Sequence, residues 1–143
     1  MPAYTGICAH PHSIFPDTEQ LATAAAARWI ALSHAACAAR GAFHVALSGG
    51  STPRRLYQLL ALPEHQTAID WARVHLYFGD ERAVPPEHAD SNYRMVREAL
   101  LDHCVIPPQN VHRMHAEPAQ IEQNAVDYAA TLHRQLPQDT QGA

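Results

Sequence analysis

The sequence contains no lysine, and arginine alone supplies its ten basic residues. Acidic residues outnumber the basic ones, so the formal net charge is −4 at pH 7. Proteins that bind nucleic acid carry a basic face or stripe, and this charge balance excludes that class of partner. A length of 143 residues, with 47% hydrophobic and 17% charged residues, instead describes an ordinary globular domain with a modest core.

A long apolar run is also missing. The most apolar stretch, residues 21–39, is interrupted by Arg28 and His34, whereas a membrane-spanning helix needs about 20 predominantly apolar residues. The first residues lack both the basic start and the apolar segment of a secretory signal. We therefore expect neither a membrane span nor secretion.

Cysteine is scarce and shows no pairing pattern. Cys8, Cys37 and Cys104 are odd in number and widely separated, which is typical of free thiols in a reducing compartment. The sequence has no C-x-x-C motif. These observations favour a cytoplasmic protein.

Histidine is abundant, with 11 residues. The close pairs are His10 with His12 and His112 with His115, and neither pair lies in a metal-ligand motif such as H-E-x-x-H. We predict that most of these histidines lie on the surface or in loops and that the protein holds no metal.

The stretch with the most specific pattern is residues 42–57. It opens with a short apolar run, Phe43–Leu47, which predicts a buried strand. A Ser48-Gly-Gly-Ser-Thr52 turn follows, and Pro53 then suits the first position of a helix that has Thr52 as its N-cap. Because glycine lets the backbone approach closely and a helix N-terminus carries positive potential, this arrangement directs backbone N–H groups at an anion.

We therefore predict a phosphate-binding loop formed by Gly49, Gly50, Ser51 and Thr52. The alternative is a tight strand-to-helix connection without a ligand, since helix starts are common and bound anions are rarer. Neither G-x-x-x-x-G-K-[ST] nor G-x-G-x-x-G is present, so the loop is not a nucleotide-binding fingerprint.

A second β-favouring run predicts a strand at Arg73–Phe78. With the intervening helix, which is expected to end near Leu62, it forms a βαβ unit of parallel strands joined by a right-handed crossover. Loops that follow parallel strands gather at one edge of the sheet. The glycine turn is therefore expected to lie beside Gly79-Asp-Glu-Arg82, which leaves the second strand.

This second loop concentrates charge. Arg82 could clamp a phosphate with its planar guanidinium. Asp80 or Glu81 could hold Arg82, orient a sugar hydroxyl or move a proton. The alternative is a solvated charged turn, since surface ion pairs usually contribute little. Its position next to the glycine loop favours the binding site.

Helices are predicted on both sides of this unit. A capping pattern, Asp17-Thr-Glu-Gln20, begins the first helix, and Arg40-Gly41 ends it. Its apolar stripe is expected to comprise Leu21, Ala25, Trp29, Leu32 and Ala36.

The second half of the chain predicts a helix that starts at Asp90-Ser91, a short strand at Val111–Met114 and a last helix that opens at Pro118. Ser91-Asn92-Tyr93 could face the same cleft, although N-cap duty explains Ser91 equally well. The apolar side of the last helix is expected to comprise Ile121, Ala125, Tyr128, Leu132 and Leu136. We expect residues 1–16 to be irregular and residues 137–143 to be disordered.

Taken together, these segments resemble the 6-phosphogluconolactonase family of the glucosamine-6-phosphate isomerase superfamily. The resemblance covers roughly Asp17 to Leu136, in the family's order and spacing. It is carried by Leu47-Ser-Gly-Gly-Ser-Thr-Pro53, Leu76-Tyr-Phe-Gly-Asp-Glu-Arg-Ala-Val-Pro-Pro86, Asp90-Ser-Asn-Tyr93 and Asn110-Val-His-Arg-Met114.

The resemblance implies an α/β fold with a parallel sheet, sugar-phosphate isomerase-like and Rossmann-like. It implies hydrolysis of 6-phospho-D-glucono-1,5-lactone to 6-phosphogluconate in the oxidative pentose phosphate pathway, without a metal or organic cofactor. The partner is then a small sugar-phosphate lactone. Gly49, Gly50, Ser51 and Thr52 would bind the substrate, Arg82 would contact its phosphate, and Asp80 beside Arg82 would be the catalytic candidate.

Two alternatives remain. Glucosamine-6-phosphate deaminases share the fold, but their second loop resembles Asp-Glu-Tyr, so Arg82 favours the lactonase. A non-catalytic sugar-phosphate-binding module could also use the same two loops. The sequence leaves the oligomeric state open.

The family continues with another strand and a Gly-x-Asp-Gly-His-Thr-Ala-Ser-like motif, whose histidine is the general base. That motif would lie beyond Ala143. We therefore expect residues 1–143 to form a single lactonase-like domain that is incomplete at its C-terminus. Loss of a general base removes about 10²–10⁴-fold of rate, so little lactonase activity is expected from this chain alone.

Overall fold

The structure is a computed structural model that describes residues 13–136. Residues 13–16 form no helix or strand, as predicted, while Cys8, the His10/His12 pair and the tail lie outside the described residues. The elements are α1 (Thr18–Arg40), β1 (Phe43–Leu47), α2 (Ser51–Leu60), α3 (Pro63–Gln66), β2 (Val74–Phe78), α4 (Asn92–Val96), β3 (Val111–His112) and α5 (Ile121–Gln135). No helix within this part of the chain has both the length and the apolar character needed to cross a bilayer.

The three strands form one parallel sheet in the order β1-β2-β3. β1 and β2 pair from Phe43 opposite Val74 to Leu47 opposite Phe78. The predicted βαβ unit is therefore confirmed, and both strands end at the same edge of the sheet. β3 pairs with β2 over its two residues, so it is shorter than the predicted Val111–Met114.

One face of the sheet forms the core. Leu47, Val74 and Leu76 are almost fully buried there, and they pack in one cluster with residues of α1 and α2. Leu60 from α2 and Leu100, from the π-helical turn Arg97–Leu101 that extends α4, complete it. This face fixes the positions of the loops that leave β1 and β2.

The ends of α1 lie where the sequence predicts them. The Asp17 carboxylate accepts the N–H of Gln20 at 2.8 Å, and Gly41 ends the helix with a φ of 80°. The predicted stripe is displaced, however, because Leu21 and Leu32 are exposed. The buried residues of α1 are Ala22, Ala26, Trp29, Ser33 and Ala36. Alanine occurs on every side of this helix, so the pattern of apolar residues did not define its phase.

The start of α2 also differs from the prediction. The helix begins at Ser51 with Gly50 as its N-cap, at a φ of 103°, and Thr52 and Pro53 lie inside the first turn. Thr52 is therefore not the N-cap. Proline is tolerated there because the N–H groups of a first turn have no partner within the helix. The positive φ, which glycine adopts readily, turns the chain two residues earlier than expected.

The other face of the sheet carries a row of stacked rings, which we call the histidine stack: His44, His75, Tyr77 and His112. Ring centroids lie 4.7 Å apart for His44 and His75 and 4.5 Å apart for Tyr77 and His112. The three histidines are half-buried, and this burial lowers the pKa of each. These three are exceptions to the expectation that most histidines lie on the surface or in loops.

Helix α5 covers this second face only in part. None of its residues is buried, and the predicted stripe is wrong at Ile121 and Ala125, which are exposed. Tyr128, Leu132 and Leu136 are partly covered and border a groove of about 410 Å³ beside β1 and β2. The helix is held mainly by Tyr128, whose hydroxyl accepts the N–H of Phe78 at 2.8 Å and donates to its carbonyl at 2.9 Å.

Candidate active site

A cleft of about 400 Å³ lies at the sheet edge where β1 and β2 end. One wall is the start of α2, and the other is formed by the loop after β2 together with the start of α4. The residues that line it are Gly50, Ser51, Arg54, Arg82, Ala89, Asp90, Ser91, Asn92 and Met95. The glycine loop and the charged loop therefore meet, as the βαβ topology predicts.

The α2 wall presents an uncapped helix N-terminus. No side chain among the described residues caps it, and its first turn contains no acidic residue. The Arg54 N–H begins the helical bonding by donating to the Gly50 carbonyl at 3.1 Å. The N–H groups of Ser51 and Thr52 come before it and have no acceptor within the helix, and Pro53 has no N–H. This end of the helix therefore favours an anion.

The base of the glycine loop is held by Tyr57. Its buried hydroxyl accepts the N–H of Ser48 at 3.0 Å and donates to the Ser48 carbonyl at 2.9 Å. The Gly79 N–H donates to the carbonyl of Leu47 at 2.9 Å, which joins the starts of the two loops. The loops consequently leave the sheet from fixed points.

Glu81 organises the opposite wall. One carboxylate oxygen accepts the N–H groups of Arg82 and Asn92, both at 2.7 Å. The other accepts the Tyr93 N–H at 2.8 Å and the Ser91 hydroxyl at 3.2 Å. This carboxylate therefore ties the loop after β2 to the N-terminus of α4, where a negative charge is favourable. With four donors, Glu81 is occupied as a cap and is not placed to hold the Arg82 guanidinium.

Asn92 joins the two walls. Its side-chain amide donates to the Asp80 carbonyl at 3.2 Å and to the Asp80 carboxylate at 3.3 Å. It also lies so close to Gly49 that a β-carbon there would be 2.0 Å from the Asn92 side-chain oxygen. Gly49 is thus required by close approach, while Gly50 is required by its positive φ.

The cleft is electropositive. Arg82 and Arg54 reach it from opposite walls, and neither forms a salt bridge with a residue of the described part of the chain. The one acidic group in the lining, Asp90, lies 3.7 Å from His88 Nδ1. Two unpaired guanidinium groups beside a helix N-terminus suit an anion of charge −2.

The structure brings part of the predicted site together. Gly50, Ser51 and Arg82 line the cleft, while Gly49 packs behind it against Asn92. The remaining two predicted residues lie elsewhere: Thr52 borders a groove between α1 and α2, and Asp80 is exposed beside Asn92.

Sequence reasoning missed Arg54 and the capping role of Glu81. A signal for Arg54 was present, because a cation in the first turns of a helix opposes the helix dipole. No signal existed for Glu81, because its partners on α4 and its N-cap, Ser91, Asn92 and Tyr93, lie across a loop and outside any local capping pattern.

Metal-binding geometry is absent from residues 13–136, where no group of three or more His, Cys, Asp and Glu side chains is placed to hold an ion. His112 and His115, which are close in sequence, lie apart in the structure: His112 belongs to the histidine stack, whereas His115 is exposed and contacts Arg113. No histidine lines the cleft formed by the described residues.

Comparison with known proteins agrees with this geometry. Residues 16–142 match the family described as glucosamine-6-phosphate isomerases/6-phosphogluconolactonase. The 6-phosphogluconolactonase of Mycobacterium leprae is 41% identical over 123 residues, which are 86% of this chain and 49% of that protein. The Synechocystis enzyme of the same name is 46% identical over 97 residues, or 68% of this chain and 39% of that protein.

A solved structure supports the same family by its fold. 6-Phosphogluconolactonase from Trypanosoma cruzi superimposes with a TM-score of 0.76 at 30% identity, covering 91% of this chain and 52% of that one. The chain thus spans about half the length of this structure and of the Mycobacterium leprae protein. With the family match over most of its length, the parallel α/β sheet and the two loops at one edge, this chain belongs to the family of glucosamine-6-phosphate isomerases and 6-phosphogluconolactonases.

Proposed function

We propose that this protein acts as a 6-phosphogluconolactonase, which hydrolyses 6-phospho-D-glucono-1,5-lactone to 6-phosphogluconate. Its two relatives of that name and the Trypanosoma cruzi structure support this reaction over others in the family. The observation that carries the proposal is the unpaired Arg82 guanidinium, which faces the uncapped start of α2 across one cleft.

In this proposal, the phosphate lies between α2 and Arg82. The N–H of Ser51 and the dipole of α2 act from one wall, and Arg82 donates in a bidentate manner from the other. Asn92, whose side chain packs against Gly49 of the glycine loop, sets the distance between the walls. Fixed donors at the phosphate position the lactone carbonyl for attack by water, which lowers the barrier through orientation.

Hydrolysis also needs an acceptor for the proton of the attacking water. Water adds to the carbonyl carbon, the ring ester bond breaks, and the departing ring oxygen takes up a proton. Asp80 is the acidic residue of the loop after β2 that does not cap α4. We propose that it positions the Asn92 side chain and, through Asn92, the part of the cleft that binds the phosphate. Among the described side chains that line this cleft, Asp90 is the one carboxylate and no histidine is present.

The test separates binding from turnover. Calorimetric titration should show that the chain binds 6-phosphogluconate and that gluconate binds far more weakly. Arg82→Gln should lower the affinity for 6-phosphogluconate about tenfold or more. Lactone hydrolysis above the spontaneous rate should be small for this chain alone. Equal affinity for both ligands, or release of ammonia from glucosamine 6-phosphate, would contradict the proposal.

We also propose a cytoplasmic location. Cys37 and Cys104 are free thiols, as in a reducing compartment. Burial raises the pKa of the Cys104 thiol to about 11, so this group stays protonated and unreactive at neutral pH.

A further inference from the structure

Arg54 lines the cleft opposite Arg82, but the function proposed above gives it no role. It lies in α2 on the fourth residue of the helix, close to the positive end of the dipole. A cation there is unfavourable for the helix unless an anion lies nearby. The dipole of α2 therefore does not by itself favour an arginine at this position.

The neighbouring arginine shows the alternative that α2 offers. Arg55 turns towards α1, where its Nε and Nη2 donate to the Glu19 carboxylate at 2.6 Å and 2.7 Å. Arg54 forms no salt bridge on any described element, although its charge helps to lower the pKa of the Glu98 carboxylate. Two adjacent arginines thus differ: one joins two helices, and the other faces the cleft.

Four further arginines of the described chain are engaged in the same way as Arg55. Salt bridges to carboxylates occupy Arg73, Arg94, Arg97 and Arg113. Among residues 13–136, the arginines with neither a salt bridge nor a side-chain hydrogen bond are Arg28, Arg40, Arg54 and Arg82. Of these four, the two that share a lining are Arg54 and Arg82.

We propose that Arg54 is a second phosphate-binding guanidinium, which makes this site selective for a dianionic sugar phosphate. The inference rests on the proposed function, because it assigns the phosphate to the same cleft. Arg82 donates from the loop after β2 and Arg54 from α2, so the anion is held from both walls. The bound charge neutralises the two guanidinium groups and supplies the anion that α2 lacks.

Calorimetric titration of the chain with 6-phosphogluconate and with inorganic phosphate tests this role. Arg54→Gln should lower the affinity for both ligands at least about tenfold, since a hydrogen bond to a charged group is lost. Arg28→Gln removes the same charge from an exposed, unpaired arginine outside the cleft, and it should change affinity less than about twofold. Arg55→Gln, the control next to Arg54, should also change affinity less than about twofold.

The outcomes separate the two proposals. If Arg82→Gln weakens 6-phosphogluconate while Arg54→Gln leaves it unchanged, the role of Arg54 is wrong and the proposed function stands. An equal loss in Arg28→Gln and Arg54→Gln would mean that net charge alone is responsible, which also overturns this role. If the unaltered chain binds 6-phosphogluconate no better than gluconate, both proposals fail. Circular dichroism of each variant confirms that it is folded.

Discussion

At the scale of single residues, the carboxylate of Glu81 holds together the wall of the cleft that faces α2. It accepts three backbone N–H groups and one hydroxyl. Glu81→Gln replaces one acceptor oxygen by an amide donor that faces the Tyr93 N–H. We expect a loss of about 1–3 kcal/mol in the free energy of unfolding and weaker binding of 6-phosphogluconate.

Urea unfolding measures this effect, and the exposed Glu64→Gln is its control. The control removes the same charge without a buried hydrogen bond and should differ little from the unaltered chain. Equal stability of Glu81→Gln and the unaltered chain would show that the cap contributes nothing.

Gly49 is constrained by contact with Asn92. A methyl group at this position would overlap the Asn92 side chain, with 2.0 Å to its oxygen. Gly49→Ala should therefore lower the free energy of unfolding by about 1–3 kcal/mol. In an Asn92→Ala background most of this cost should disappear, because the overlapping atoms are gone. A cost that persists unchanged in the double variant would place its cause in the backbone.

At residue scale, the sequence predicted the parts of the site that follow from backbone rules. Glycines after a strand and an arginine in the next loop are local signals, and Gly50, Ser51 and Arg82 share the cleft. Thr52 could not be placed because the helix starts two residues earlier, at a positive φ that no side-chain pattern records. The partners of Glu81 depend on how the loop folds back, which is tertiary information.

At the scale of elements, each of the two long strands ends at a tyrosine hydroxyl. Tyr57 bonds both the N–H and the carbonyl of Ser48, and Tyr128 does the same at Phe78. Strand β3 ends after two residues and therefore does not pair with Phe78. The Tyr128 hydroxyl bonds the N–H and the carbonyl of Phe78 in place of a further β3 residue. This contact holds α5 at the edge where β1 and β2 end, although none of the helix residues is buried.

Hydrogen exchange can test these two contacts against each other. Tyr128→Phe should speed exchange of the Phe78 amide and leave the Ser48 amide protected, and Tyr57→Phe should do the reverse. Each variant leaves one donor and one acceptor without a partner, so each should also cost about 1–3 kcal/mol. Faster exchange at both amides in both variants would mean global loosening, which would contradict local roles.

Element predictions succeeded where the local signal had one interpretation. Asp17 and Gly41 bracket α1, and Phe43–Leu47 is a strand with the predicted bounds. The faces of α1 and α5 were predicted wrongly, because alanine occupies every side of α1 and the exposed Ile121 and Ala125 of α5 continue an apolar spacing. Spacing predicts that a helix has an apolar side, while packing decides which residues form it.

At the scale of the whole molecule, the two faces of the sheet differ. The face towards α1 and α2 is a closed apolar core. The face towards α5 carries the histidine stack and an open groove. Because charging a half-buried histidine costs desolvation, this second face links stability to pH.

The surroundings of the histidine stack fix the sign of that link. Besides the stacked rings themselves, Arg40 acts on His44, and Arg113, His115 and Asp127 share a small cleft with His112. Burial lowers the pKa of all three histidines, and their mutual repulsion lowers the values for His44 and His112 further. The folded state therefore takes up protons later than the unfolded chain as the pH falls.

We expect the free energy of unfolding to be constant above about pH 7.5 and to fall as the pH drops through the unfolded histidine pKa of about 6.5. The fall ends once the pH is below the histidine pKa values of the folded state. A separate loss follows below a pH of about 4.5, when the carboxylates paired with arginine become protonated.

Urea unfolding at pH 7.5 and 5.5 isolates the first step. His75→Gln, in the middle of the stack, should reduce the difference between the two pH values, whereas the exposed His103→Gln should retain it. An unchanged difference in His75→Gln would show that the stack does not cause the pH dependence, because His75 contacts both other histidines.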